Sequence, residues 1–161
     1  HYNALFLNTE AKRTACMPVR ILVGALGDNL PSQDLRVSPW HHLLVDGVLV
    51  RANDLINGIS IFQETNTTEF SYYHVELEQF DVIQAYGVYS ESYADGGNRD
   101  FFQNVDVTAL RPEDTKRRRA SRPGFDHLVV RQGKALVAIQ SRISQRANEI
   151  SNTGALTQKA A

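Results

Sequence analysis

The chain has 161 residues, 42% apolar and 22% charged, with a formal net charge of -1. These values describe one ordinary globular domain with its own core, and the charge balance selects no charged partner. No apolar run approaches the ~20 residues needed to span a bilayer, and HYNALFLNTEAKR lacks the basic region and long apolar core of a signal peptide. The lone cysteine, Cys16, excludes an internal disulfide and a cysteine-based zinc site within one chain. With no His or Asp near it in sequence, it reads as a small buried hydrophobe.

In chain order, PVRILVGALG (Pro18 to Gly27) reads as an apolar strand ending in glycines, and DNLPSQD as a polar loop. LLVDGVLV (Leu43 to Val50) is the clearest hairpin, because Asp46-Gly47 supplies the pair of positive φ values that a tight primed turn requires. ANDLING suggests a short helical turn closed by Asn57-Gly58, followed by the strand ISIFQE. FSYYHVELEQ (Phe70 to Gln79) alternates as a strand would. Its Ser71, Tyr73, Val75 and Leu77 read as the core face, and His74 shares the other face with Glu76 and Glu78. DVIQAYG and VYSESY are two further short strands, and ADGGNRD is a loop.

After Phe102 the character changes. VDVTALRPEDTKRRRASRPG is polar, with two prolines and a basic run from Lys116 to Arg119, and reads as a solvated connection. A nucleic-acid patch would want more basic residues with interleaved aromatics. HLVVRQGK follows with a short strand, LVV. The last element is a helix from about Ala135 to Ile150, with Leu136, Ile139, Ile143, Ala147 and Ile150 in one apolar stripe. That stripe is expected to pack on the β-structure, while Gln140, Arg142, Gln145 and Arg146 mostly face elsewhere. SNTGALTQKAA should fray. The organisation expected is a β region over 1–103, a connection with a short strand over 104–134, a helix over 135–150 and a tail over 151–161. The fold class is mainly β with one terminal helix laid against it.

Candidate chemistry centres on SPWHHLLVDG, Ser38 to Gly47. Histidine is the side chain best suited to proton transfer near neutral pH, and here two stand beside a Ser-Pro step that restricts the backbone. Adjacent strand residues point to opposite faces, so His41 and His42 are poor joint ligands for a metal. A site drawn from His41, His42, His74 and Glu76 is the weaker alternative, since the i, i+4 histidine spacing of a zinc protease helix is absent.

PVRILVGALG, DLRVSPWHHLLVDGVLVRANDLINGISIFQE, YYHVELEQFDVIQAYGVYSESYADGGNRDFF and the helix ending SRISQRANEI occur in this order in one family. From about Pro18 to Ile150 the chain resembles bacterial Hint domains, the hedgehog/intein type, in the subgroup common in alphaproteobacteria. The subgroup's SPDHALLVDGVLVPARLLVNG is close to SPWHHLLVDGVLVRANDLING here. The resemblance implies a flat, twisted, horseshoe-shaped β-fold and autoprocessing. In such domains a leading cysteine attacks the preceding carbonyl to give a thioester, and a second nucleophile resolves it. The motif Ser38-Pro39-Trp40-His41 matches the family's T/S-x-x-H, so His41 inherits the assisting role. Ser38 would bind the scissile region or cap the turn, and Asp46 serves the hairpin. No cofactor or metal is implied. The expected partner is the upstream segment of the same precursor, with no nucleic acid or membrane, and secretion follows by analogy alone.

The departures define what is doubtful about activity. No leading cysteine block is recognisable before Pro18, and Cys16 does not fit that place. Tyr73-His74 stands where inteins have a Tyr-Asp-like step, which makes His74 a candidate. Phe80 replaces a histidine usual in the subgroup, and the intein ending His-Asn is absent, so ligation is not expected. SESY, Ser90 to Tyr93, lies where hedgehog-type domains have related sequence, so Glu91 and Ser92 are secondary candidates. His42 reads as a bystander that covers the sheet. Two readings follow: part of a self-cleaving domain, or a Hint-derived structural or interaction module that no longer cleaves.

Overall fold

The computed structural model describes residues 9–67, 70–94 and 121–152. The start of the chain, the basic run Lys116 to Arg119 and the tail from residue 153 lie outside the described residues. After a short helix α1 (Glu10–Cys16) come seven strands: β1 (Val19–Ile21), β2 (Leu35–Val37), β3 (His42–Val45), β4 (Val48–Arg51), β5 (Ile61–Gln63), β6 (Val82–Ala85) and β7 (Val88–Glu91). The long helix α2 (Lys134–Asn152) closes the described chain. The strands form two antiparallel sheets, β2-β1-β5 and β4-β3-β7-β6. The architecture is mainly β with one C-terminal helix on it, as the sequence indicates.

The β3–β4 hairpin forms where Asp46-Gly47 stands, with φ of 49° and 78°. Side-chain alternation then divides the four-stranded sheet. Leu43, Val45, Val50 and Val88 enter one core with Val19, Ile21 and Ile61 of the other sheet. Leu136, Ile139 and Ile143 of α2 complete that core. Fully burying each such side chain contributes about 1.5–3 kcal/mol. The opposite face of the four-stranded sheet carries His42, Leu44, Leu49, Tyr89 and Glu91. The chain from Arg122 to Val130 lies on that face as a strap. Val130 N–H donates to the Leu49 carbonyl at 2.9 Å, and Phe125 packs edge-on against Phe80.

Several sequence expectations are corrected. The strand from Pro18 to Gly27 stops at Ile21, because Gly24 turns the chain at a φ of 74°. Phe70 to Gln79 is not a strand. It makes no ladder, and its supposed core residues Val75 and Leu77 are exposed, as is Tyr73. Alternation marks a strand only where a sheet edge accepts it; here Tyr93 N–H reaches the Val75 carbonyl at 2.8 Å, and the segment is also tied by the Tyr72 hydroxyl donating to the Cys16 carbonyl. LVV after His127 gives a short 3₁₀ turn, Asp126–Leu128, and a single parallel bridge from Val129 to Leu49.

The polar residues of α2 also do more than face outward. Arg142 pairs with Asp46 and donates to the Leu26 carbonyl, while Arg146 donates to the Gly24 carbonyl and pairs with Asp28. Long polar side chains at the rim of an apolar stripe bend back to meet orphan loop carbonyls. Asn57 supports the loop before β5, its Oδ1 accepting the N–H groups of Ile59, Ser60 and Ile61 at 3.0 Å each.

Candidate functional site

Ser38 to His41 folds as a tight turn before β3. His41 N–H donates to the Ser38 carbonyl at 3.0 Å, and Trp40 N–H donates to Ser38 Oγ at 3.4 Å. The turn is pinned to the residues after β4: Ala52 N–H donates to the His41 carbonyl and Asn53 N–H to the Pro39 carbonyl. Ser38 Oγ thus caps the turn at the long end of hydrogen-bond range. The backbone of His41 is therefore held at both its N–H and its carbonyl, which fixes the origin of the side chain.

The His41 ring is half-buried, and among the described residues no hydrogen bond occupies its nitrogens. Its centroid lies 5.8 Å from that of His74, and His74 lies 5.9 Å from Tyr93. The two histidines expected from sequence as candidates, His41 and His74, are thus brought together from segments 33 residues apart. Burial holds the His41 pKa down to about 4; Glu91 pulls it up, and His74, His42 and Arg122 push it further down. His74 is exposed as a residue, and partial desolvation of its ring lowers its pKa against the pull of Glu91. Near neutral pH the His41 ring is uncharged, with an open nitrogen able to accept a proton.

His42 is not a bystander. It is 3% exposed, and Glu91 meets it twice. Oε1 of Glu91 accepts from the His42 backbone N–H at 3.0 Å and lies 2.8 Å from His42 Nδ1. Arg122 Nε donates to the other oxygen, Oε2, at 2.6 Å, while its Nη2 stands 3.3 Å from His42 Nδ1. A carboxylate oxygen at 2.8 Å requires a proton on Nδ1, so that nitrogen donates to Glu91 rather than accepting from the longer guanidinium contact. Among the described residues Nε2 of His42 is buried without a hydrogen-bond partner. An unmet buried polar atom costs about 1–3 kcal/mol, so the arrangement is retained at a cost to stability.

Burial alone would raise the Glu91 pKa. The hydrogen bonds and charges of His42 and Arg122 outweigh it and hold the carboxyl at about 2. Glu91 was legible only as part of SESY, and Arg122 stood in a stretch read as solvated, yet it is 7% exposed. No local signal marks Arg122, since it meets Glu91 across 31 residues. Ser92 is also buried, and its Oγ accepts from Asp81 N–H at 3.1 Å, a tie between the ends of β6 and β7.

Cys16 is half-buried, and burial pushes its thiol up, away from the reactive thiolate. Among the described residues no group of His, Cys, Asp and Glu is arranged to hold a metal ion, and no helix is long and apolar enough to cross a membrane. A separate open cleft of about 460 Å³ lies on the three-stranded sheet, where Arg20, Arg36, Phe62, Glu64 and Thr67 line it, none of them from the histidine cluster.

The family model described as Hint domain matches residues 3–97, more than half of the chain. The chain belongs to the Hint domain family. The matched region reaches further toward the N-terminus than Pro18, where the resemblance starts, and ends well short of α2. It contains the Ser38–His41 turn, His74 and Glu91, whereas Arg122 and the strap lie beyond it. No curated protein and no solved structure gives a match. Membership makes this a domain of the hedgehog/intein autoprocessing type in general, and gives the T/S-x-x-H turn a chemical context.

Proposed function

We propose that His41 is the proton-transfer group of an acyl shift that cleaves the precursor's own backbone. The attacking thiol or hydroxyl is supplied by a segment outside the described residues, N-terminal in the precursor and bound next to the Ser38–His41 turn. The uncharged His41 ring takes the proton of that group as its sulfur or oxygen bonds to the scissile carbonyl carbon. The same ring then returns the proton to the amide nitrogen as the C–N bond breaks, leaving a thioester or ester and a free amine. A positioned imidazole contributes about a hundred- to ten-thousandfold to such a step. The observation that supports this reading most is the open ring of His41, whose backbone is fixed on both sides and whose nitrogens are engaged by nothing among the described residues. His74, edge-on to His41, supports the ring from the side and adds a second imidazole to the site.

The test is to express the longest open reading frame that contains this chain and follow cleavage by intact mass and by thiol trapping of the acyl intermediate. Water or the added thiol then attacks the carbonyl of that thioester or ester and displaces the side-chain sulfur or oxygen, so wild type should release an upstream fragment, and His41→Ala should slow release by at least about a hundredfold. If His41→Ala processes as wild type does, His41 is not the proton-transfer group; if neither is cleaved, the chain is instead a Hint-derived module without cleavage.

A further inference from the structure

We propose that Glu91, clamped by Arg122, is the positioning residue of the His41 site, gripping its neighbour His42 by backbone and ring and standing as the counter-charge when His41 takes up a proton. This inference rests on the autoprocessing reading of His41.

The geometry supports it in three ways. One oxygen of Glu91 binds both the N–H and the ring of His42, the residue that follows His41, so the exit from the Ser38–His41 turn is fixed from β7. The second oxygen is occupied by Arg122, so the carboxylate cannot swing away. All three groups are buried, where charges act over distance with little screening by water. Among the described residues, the charged and titratable groups acting on His41 are His42 beside it, His74 from the segment after β5, Glu91 from β7 and Arg122 from the strap. Glu91 is the one anion among them. A proton arriving on His41 makes a cation that Arg122 repels, and Glu91 offsets it.

Arg122 gives this arrangement a further consequence. It lies outside the region that the family model matches, in a turn built by its own carbonyl accepting from Phe125 and Asp126 N–H groups. Phe125 of the same turn packs on Phe80, which stands where the subgroup's histidine is expected. The strap therefore brings the site both its clamp and a partner for that departure, and processing depends on a part of the chain beyond the matched region.

The experiment uses the same full reading frame with Glu91→Gln, Glu91→Asp and Arg122→Gln, each checked for folding by circular dichroism. Glu91→Gln is expected to cleave about ten- to a hundredfold more slowly. The acid limb of its pH–rate profile should move to lower pH, since the charge that favours protonated His41 is gone. Arg122→Gln should move that limb to higher pH, since it removes a repelling cation. Glu91→Asp keeps the charge but shortens the grip, so it should cleave faster than Glu91→Gln, more slowly than wild type, and with the wild-type limb. Opposite shifts from the two ends of one ion pair are not what a purely structural contact produces. The inference is overturned if folded variants lose rate equally with no shift in pH dependence, or if folded Glu91→Asp matches wild type. If Glu91→Gln does not fold, the Glu91→Asp rate decides. If wild type itself stays intact, the autoprocessing reading falls, and NMR titration of His41 in the purified chain then decides whether Glu91 and Arg122 set that ring's charge. Unchanged midpoints in both Gln variants would overturn it.

Discussion

The outer faces of the two sheets solve the same electrostatic problem in opposite settings. On the three-stranded sheet, Arg20 and Arg36 face each other across strands, a like-charge pair that Glu64 bridges, reaching Arg36 at 2.6 Å and Arg20 at 3.9 Å. Both arginines are more than 40% exposed. On the four-stranded sheet, Glu91 also holds an arginine at 2.6 Å, but the strap covers the pair and both side chains are 9% exposed. Equal distances therefore hide unequal energetics. Glu64 is itself only 10% exposed, so the contrast lies in the arginines: water reaches both arginines of the first cluster, whereas Arg122 of the second is 9% exposed. Burial of the cation, rather than contact distance, separates the two ion pairs.

The sharpest way to break this comparison is to remove each carboxylate. Glu91→Ala takes a buried carboxylate away from the buried Arg122 and leaves His42 Nδ1 without that acceptor, so a loss of about 3–5 kcal/mol is expected in urea unfolding. Glu64→Ala leaves arginines that water can solvate, and a loss below about 1 kcal/mol is expected. Similar losses at the two sites would show that the strap does not shield Glu91 from solvent.

The sequence carried the local features of this fold and missed those made by long-range closure. Asp46-Gly47, the Ala52–Leu55 turn and the apolar stripe of α2 are each written in consecutive or helically spaced residues, and all three stand in the structure. Ser38, His41 and His74 were named from contiguous motifs, and the structure brings the last two into ring contact. The role of His42 was hidden because both of its partners come from elsewhere: Glu91 lies 49 residues on, and Arg122 lies 80. Phe70 to Gln79 misled for the converse reason. Its alternation was real, but strand formation depends on a neighbouring edge that the local pattern cannot report.

An intermediate effect should appear on acidification, again at the histidine face. The folded Glu91 pKa is about 2, below the unfolded carboxylate value, so its stabilisation is complete above the unfolded pKa and fades as pH falls toward 2. The folded His41 pKa of about 4 is below that of a free histidine, near 6.5. The unfolded chain thus binds a proton first, and stability falls as pH drops from about 6.5 through 4. Both groups lose stability in the same direction and in successive windows. Urea midpoints measured from pH 7 to pH 3 should decline from the first window onward in wild type. In His41→Gln the upper part of that decline should be flattened, and an unaltered decline would mean that His41 is not the group titrating there.

The smallest effect sharpens the other side. Thr67 donates its hydroxyl to Glu64 at 2.6 Å, and Arg36 donates to the same oxygen. Burial would raise the Glu64 pKa, but these donors and Arg20 bring it below the usual carboxylate range. Because the arginines are hydrated, replacing Thr67 by Val or Arg36 by Gln should each cost no more than about 1 kcal/mol. The Arg36→Gln loss should shrink further when salt is raised from 0.1 M to about 1 M, where screening shortens to about 3 Å. The Glu91–Arg122 pair, out of reach of mobile ions, should keep its full effect over the same range. A double-mutant cycle on each pair at both salt concentrations reads the two coupling energies directly. Equal salt dependence would place both clusters in the same solvent regime and remove the physical reason for giving Glu91 a reach as far as His41.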